Sequence, residues 1–325
     1  MLTDAISFPI DLILAGSDAA SIPLLPSHDI EHAMSAMMQM QTNPRLDTDL
    51  SGEFRFRPVI ELNATTDKDL MILGDNFPAD AWAVFGGSSF NIWNCDTCNF
   101  YAHIDPEVAK TKLNRKRSKP NKRSAFFEMS EEWRGAGTTL PCLNPRIAFR
   151  DIANRTNRRT TIASLIPPNT VTTHKSPYLL KIRGDESDEA YLLGIISSIP
   201  FDWYSRRYVE LNLTFFILNP LPIPRPEQND PLRLRVIQLS GRLAAHDDRL
   251  SNWAAAVGVE CGEPNTDEKR AMVMELDAVV AHLYGLSERQ LESIYRTFHH
   301  DGTVDGEPWQ KRFDAVIKHY RRWSQ

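Results

Sequence analysis

The sequence predicts a mixed α/β (α+β) chain: a β-rich domain over 51–226, a helical C-terminal subdomain over 227–325, and an N-terminal connecting segment over 1–50. Three observations carry this division. Apolar residues alternate at period two in segments such as Phe54–Leu62, the pattern of a half-buried strand. Beyond 226 the apolar spacing turns helical and cap signatures appear,. Between the two textures lies Asn219–Pro226, with four prolines in eight residues, a stretch that neither a helix interior nor a central strand tolerates.

Taken in order, the elements follow from local chemistry. After Ser27-His28-Asp29 the spacing of Met34, Met37, Met38 and Met40 predicts a short helix with a methionine face in the core,. Phe54–Leu62 predicts a strand, and Ala83–Phe90 a strand closing in a glycine turn. Glu189–Ser198 is apolar on most sides, so a buried helix is expected. Pro200 opens a second helix through Tyr208, its aromatic stripe inward and Arg206 and Arg207 outward. Leu211–Leu218 alternates again, as a strand would. In the last part, Val236, Leu239, Leu243, Leu250 and Trp253 keep helical spacing. Asn265 with Glu268, and Ser287 with Gln290, match N-terminal caps. Gly285 ends one helix, and Pro308 opens the last,.

Composition narrows the class. With 325 residues, 42% hydrophobic and 24% charged, the chain has ordinary globular usage, and wholesale disorder is excluded. Four cysteines are too few for a disulfide framework and suit a reducing cytoplasm, the expected location. No apolar run reaches the roughly 18 residues of a membrane span, so no membrane partner is expected. Phe8–Leu14 lacks a basic flank and contains Asp11, so a signal peptide is not expected,.

The net charge of −5 conceals a strong segregation. Residues 1–109 hold 4 basic and 16 acidic side chains, whereas 110–159 hold 14 basic and 4 acidic. A concentrated positive segment inside an acidic chain points to a polyanion, because each Lys or Arg set against a phosphate releases condensed counterions. Its first half, 110–123, has eight basic residues and only Leu113 as a large apolar one. It is expected to bury no face and to form an exposed loop or a frayed helix ending before Pro120. A solvated basic run is the plainer reading. The second half, 146–168, alternates β-branched and aromatic residues with arginines around a polar tip at Asn154–Arg159. This predicts a hairpin with strands near 146–152 and 160–166. Its tip can reach phosphates and base edges; the plainer reading is a charged edge hairpin that discourages aggregation. The candidate contacts are Lys110, Lys112, Arg115, Lys116, Arg117, Lys119, Lys122 and Arg123 from the first half. Arg146, Arg150, Asn154, Arg155, Asn157, Arg158 and Arg159 come from the second.

No self-sufficient active site is legible. Cys95-Asp-Thr-Cys98 is a lone pair with only Cys142 and His103 as helpers, short of a convincing four-ligand zinc site,. His299-His300-Asp301 suits a helix C-terminus without any metal. Gly86-Gly87 lacks the third glycine and lysine of a phosphate loop, and no Gly-x-Ser-x-Gly or paired-histidine zinc motif occurs,.

A serial set of motifs adds a resemblance. Arg146–Thr160, Ala163–Pro168, His174–Tyr178, Leu193–Arg207 and Phe215–Pro224 follow in order, preceded by Phe85–Trp93 and Glu131-Glu-Trp133. This run resembles the C-terminal target-recognition region of large bacterial adenine-specific DNA methylases, of the type IIG restriction–modification class and related phage-defence systems. It covers most of 50–226. The resemblance implies sequence-specific recognition of double-stranded DNA and adds His174 and Lys175 to the candidate contacts. Such methylases carry an Asn-Pro-Pro-Tyr-type motif and a glycine-rich S-adenosylmethionine loop. Here Asn144-Pro-Arg-Ile, Asn219-Pro-Leu-Pro and Phe85-Gly-Gly-Ser match neither. The expectation is a specificity module without catalytic residues that binds no cofactor itself. S-adenosylmethionine is implied only for a catalytic domain that would precede residue 1 in a full-length relative, or form a separate subunit. A different class stays open: a non-catalytic assembly subunit whose helical part docks other proteins.

Overall fold

The computed structural model describes residues 8–154 and 156–324. About 44% of the described residues are helical and 13% strand, so the mixed class is what the molecule adopts. The first strands are β1 (Arg55–Val59), β2 (Trp82–Phe85), β3 (Ala102–Ile104) and β4 (Arg146–Phe149). They are followed by β5 (Ala163–Ile166), β6 (Thr170–Thr172) and β7 (Tyr178–Arg183). One antiparallel sheet has the order β1-β7-β4-β5, and a second has the order β3-β2-β6 with β2 and β6 parallel. A late two-stranded ribbon pairs β8 (Thr303–Val304) with β9 (Glu307–Pro308).

The helices before the proline run are α1 (Ile10–Gly16), α2 (Ile30–Met40), α3 (Pro106–Ser118), α4 (Glu131–Gly135), α5 (Glu186–Ser197), α6 (Ile199–Ser205) and α7 (Phe215–Leu218). After it come α8 (Pro231–Ala244), α9 (Ser251–Val257), α10 (Thr266–Leu283), α11 (Glu288–Arg296) and α12 (Trp309–Trp323). Among the described residues no helix is long and apolar enough to cross a membrane.

Helix α5 is the hub. A reciprocal capping box between Asp185 and Asp188 starts it, and every residue from Glu189 to Ser197 is buried, as expected for a helix without a polar stripe. Gly194 lets α8 lie against it: a Cβ there would fall 2.6 Å from Val236 Cγ1 and 3.0 Å from Ser240 Cβ. Ser240 Oγ then donates to the Ala190 carbonyl at 2.6 Å. The capped starts of α10 and α11 form at Asn265 and Ser287, because those side chains satisfy backbone N–H groups that a helix start leaves open.

One hydrophobic core runs from Ala33 through the sheet residues Phe56, Ile147 and Leu165 to Val316 and Tyr320. The packing thus crosses the 226/227 line at which the two sequence textures meet. The Asp277 carboxylate of α10, fully buried, accepts from Ile199 N at 2.9 Å and from Tyr295 Oη at 2.9 Å, tying α6 and α11 together.

Three local expectations are corrected. Leu211–Leu218 is not a strand: Asn212 makes a single bridge to Ile152, and Phe215–Leu218 is helical. The helical spacing over Val236–Trp253 is realised as α8 and α9, separated by a 3-10 turn. Segment 110–123 does bury a face, since Ala109, Leu113 and Arg117 fall at helical i, i+4 and i+8,. Arg206 and Arg207 face inward, at 4% and 6% exposure.

Candidate nucleic-acid interface

The predicted hairpin exists. β4 and β5 pair from Arg146 with Ile166 to Phe149 with Ala163, and residues 150–154 and 156–162 lie at its far end. Asn154 shapes the tip by accepting the Thr156 amide at 2.9 Å on its side chain and the Asn157 amide at 2.9 Å on its carbonyl, a local turn typical of asparagine. What holds the tip is α6. Buried Asp202 accepts the amides of Thr160 and Thr161 at 3.0 and 2.9 Å, and Arg206 donates to the carbonyls of Asn157 and Arg158 at 3.1 and 3.0 Å. His299 Nε2 meets the Thr156 carbonyl at 3.0 Å. Arg155 lies outside the described residues.

This clamp sorts the tip arginines into two kinds. Arg159 is 7% exposed and donates to both Asp305 oxygens, at 2.7 and 3.2 Å, with Asp202 at 3.6 Å. Burial works against its charge, but Asp305, Asp202 and Asp277 outweigh that and push its pKa up. It is a structural ion pair and cannot reach a duplex, which corrects its place among the candidates. Asn157 and Arg158 are exposed, and the Arg158 guanidinium lies over Gly306, whose hypothetical Cβ would be 3.2 Å from Arg158 Cζ. Gly306 sits at φ +82° in the β8–β9 turn, a backbone conformation that favours glycine there.

The tip opens onto a cleft of about 630 Å³. Its walls are the Asn91–Trp93 turn, the hairpin residues Arg150 and Asn157–Arg159, the first turn of α10 with Lys269 and Arg270, and Asp305 and Arg312. Six of these side chains are cationic and one is anionic, with Arg159, Arg270 and Arg312 paired to Asp202, Asp277, Asp305 or Glu307. The Asn91 and Asn94 backbones close a tight turn by two 2.9 Å bonds, with Trp93 at φ +54°. Trp93 is 4% exposed, its carbonyl accepts from Lys269 Nζ at 3.1 Å, and its indole N–H has no partner. Arg150 donates to the Phe90 carbonyl, lies over the Phe90 ring and keeps Nε unpaired; burial lowers its pKa. Arg312 Nε and Nη2 have no hydrogen-bond partner, although Asp277 and Asp305 balance the charge at 3.6 Å. These unpaired arginine and tryptophan donors are desolvated beside the cleft.

The lysine-rich half stands apart from this cleft, since none of its residues line it. Asp105 caps α3 through the amides of Glu107 and Val108, at 2.9 and 3.0 Å. Arg117 is fully buried: it bonds to Asn114, Thr139 and the Ala136 carbonyl and stacks 5.0 Å from the Trp133 ring. It fastens α3 to α4 and is a second correction. Lys110 pairs with Glu107 at 2.8 Å, Lys112 with Asp67 at 2.6 Å, and Lys116 holds the Glu61 carbonyl at 3.1 Å. Arg115, Lys119, Lys122 and Arg123 are exposed. Arg146 is the third correction: at 3% exposure it pairs with Glu61 at 2.9 Å inside the sheet. His174 is half-buried and accepts the Ala64 amide on Nδ1 at 3.1 Å, and Lys175 is half-buried beside it.

Sequence pattern alone missed Lys269, Arg270 and Arg312, which lie more than a hundred residues from the basic segment and reach it only through the fold. Among the described residues no group of three or more His, Cys, Asp or Glu side chains is placed to hold a metal. Cys95 gives its thiol to Asp247 at 3.3 Å, and burial pushes its pKa up to about 12, so it is a poor thiolate ligand. Compared with known proteins, the chain matches no family model and no curated protein.

Proposed function

We propose that these residues form a duplex-DNA recognition module, serving an adenine-specific methyltransferase whose catalytic and S-adenosylmethionine-binding residues lie outside them. One observation carries the reading: a polar hairpin tip, clamped from behind by Asp202 and Arg206, projects Asn157 and Arg158 at the rim of a cleft with six cationic side chains to one anionic. Exposed Arg and Asn side chains on a clamped backbone, beside phosphate-type donors, combine base readout with backbone positioning. Exposed Arg115, Lys119, Lys122 and Arg123 on and after α3 add a sequence-independent anchor,. A gel-shift series on random and selected duplexes across salt concentrations tests this. DNA binding requires a steep fall of affinity with salt; a flat response excludes it.

A further inference from the structure

A second cavity, of about 430 Å³, opens between the start of the four-stranded sheet and α5 and α9. It shares no lining residue with the cationic cleft, and its size is in the range of small-molecule sites. Three aromatic side chains, Trp133, Tyr178 and Trp253, line it.

Its polar groups are unusual. Arg146 lies 5.1 Å from the Tyr178 ring centroid and gives Nη2 to Glu61 and to the Thr170 carbonyl, both at 2.9 Å. Its Nε and Nη1 have no partner, and neither has the hydroxyl of Tyr178, a residue only 1% exposed. A buried donor is costly to leave unpaired, so three of them in two residues that line an open cavity mark it as a place for an acceptor. On the α5 side stands Glu189, 2% exposed, whose carboxylate accepts Trp253 Nε1 at 2.9 Å and has Lys181 Nζ at 3.8 Å.

These walls select against an anion. The Arg146 charge is already matched by Glu61, and Glu186 and Glu189 occupy the opposite side. They select for a flat, neutral ring with acceptors on one edge and N–H donors on another. Guanine has that layout, with O6 and N7 as the acceptor pair favoured by arginine, and N1–H and N2–H₂ for a carboxylate. We propose that this cavity is a binding site for a neutral nucleobase-type heterocycle of guanine pattern. Its ring lies against the tryptophans, its acceptor edge at Arg146 and Tyr178, and its N–H edge at Glu189. The proposal does not depend on the DNA reading, because the probe carries no phosphate.

The test is titration of the full chain with guanosine near physiological salt, read by tryptophan fluorescence and calorimetry. Saturable binding with a Kd below about 1 mM is expected, with adenosine at least tenfold weaker. Glu189→Gln and Trp133→Ala should each weaken guanosine at least tenfold while circular dichroism stays unchanged. Arg146→Met risks unfolding by stranding Glu61, so the test relies on the other two variants. Absence of saturable guanosine binding to the folded chain overturns the proposal. So does binding that both variants leave intact, or that fails to distinguish guanosine from adenosine.

Discussion

Arg159 and Asp305 share a two-toothed ion pair, Nε to Oδ1 at 2.7 Å and Nη2 to Oδ2 at 3.2 Å, that fastens the hairpin tip to the β8–β9 turn. Through it the arginine-rich segment meets the β8–β9 turn at the wall of the cleft, beside the bonds that Asp202 and Arg206 make to the same tip. Arg159→Ala would take the closest cation from Asp305 and one of two from Asp202, leaving Arg312 at 3.6 Å and Arg206 at 3.8 Å. Removing one partner of a buried pair costs about 3–5 kcal/mol, so a loss of that order is expected in urea unfolding. A change under about 1 kcal/mol would show that the pair is not what holds the tip.

Glu189 gives the stability a pH dependence of known sign. Burial raises its carboxyl pKa to about 7, with Lys181 and the Trp253 hydrogen bond opposing. The folded state therefore binds more protons than the unfolded chain between the ordinary glutamate range and about pH 7, and this group's contribution falls as pH rises through that window. The upward shift corresponds to roughly 3 kcal/mol at full ionisation. Denaturation midpoints measured from pH 5 to pH 8 should decline less in Glu189→Gln than in the parent chain. Equal slopes would mean that the carboxyl is ionised throughout.

The two kinds of basic residue on α3 and the loop after it should separate cleanly. Lys119→Ala and Lys122→Ala remove exposed charges, so each should lower the salt slope of DNA binding by about one unit and leave unfolding unchanged within about 0.5 kcal/mol. Arg117→Ala should do the reverse, because it empties the joint between α3 and α4 and strips hydrogen bonds from Asn114 and Thr139. Paired salt titrations and melting curves on the three variants decide the assignment.

Gly194→Val tests the hub. Even a methyl at this position would fall 2.6 Å from Val236 Cγ1, and overpacking of this kind costs typically 1–3 kcal/mol, occasionally more. A lower melting temperature with unchanged secondary structure is expected. A neutral outcome would mean that α5 and α8 are not in close contact at Gly194.

Much of this architecture was legible because it rests on local chemistry. Asn265, Ser287 and Gly285 mark helix ends through backbone needs that neighbouring residues meet. The hairpin followed from alternation on either side of a polar tip. What escaped was burial of charge. Nothing in the string Tyr204-Ser-Arg-Arg-Tyr208 indicates that Arg206 stacks 4.2 Å from the Phe298 ring or that Arg207 lies over Trp203. The carboxylates that admit Arg159, Asp202 and Asp305, and the Asp277 that admits Arg312, lie far from them along the chain. Local charge density marked the region of the candidate site, whereas its outward-facing members emerged only once those pairings were known.

The most direct measurement is equilibrium binding of Arg158→Ala and Asn157→Ala, each against the parent chain, on a duplex selected from a random pool and on an unselected duplex. Arg158 and Asn157 are exposed on the clamped tip, and a lost base contact costs roughly 1–3 kcal/mol on the cognate site. If the tip reads bases, a loss of that size is expected on the selected duplex and little change on the unselected one, with steep salt dependence throughout. Equal losses on both duplexes, or no salt-dependent binding by the parent chain, would contradict DNA recognition by this tip.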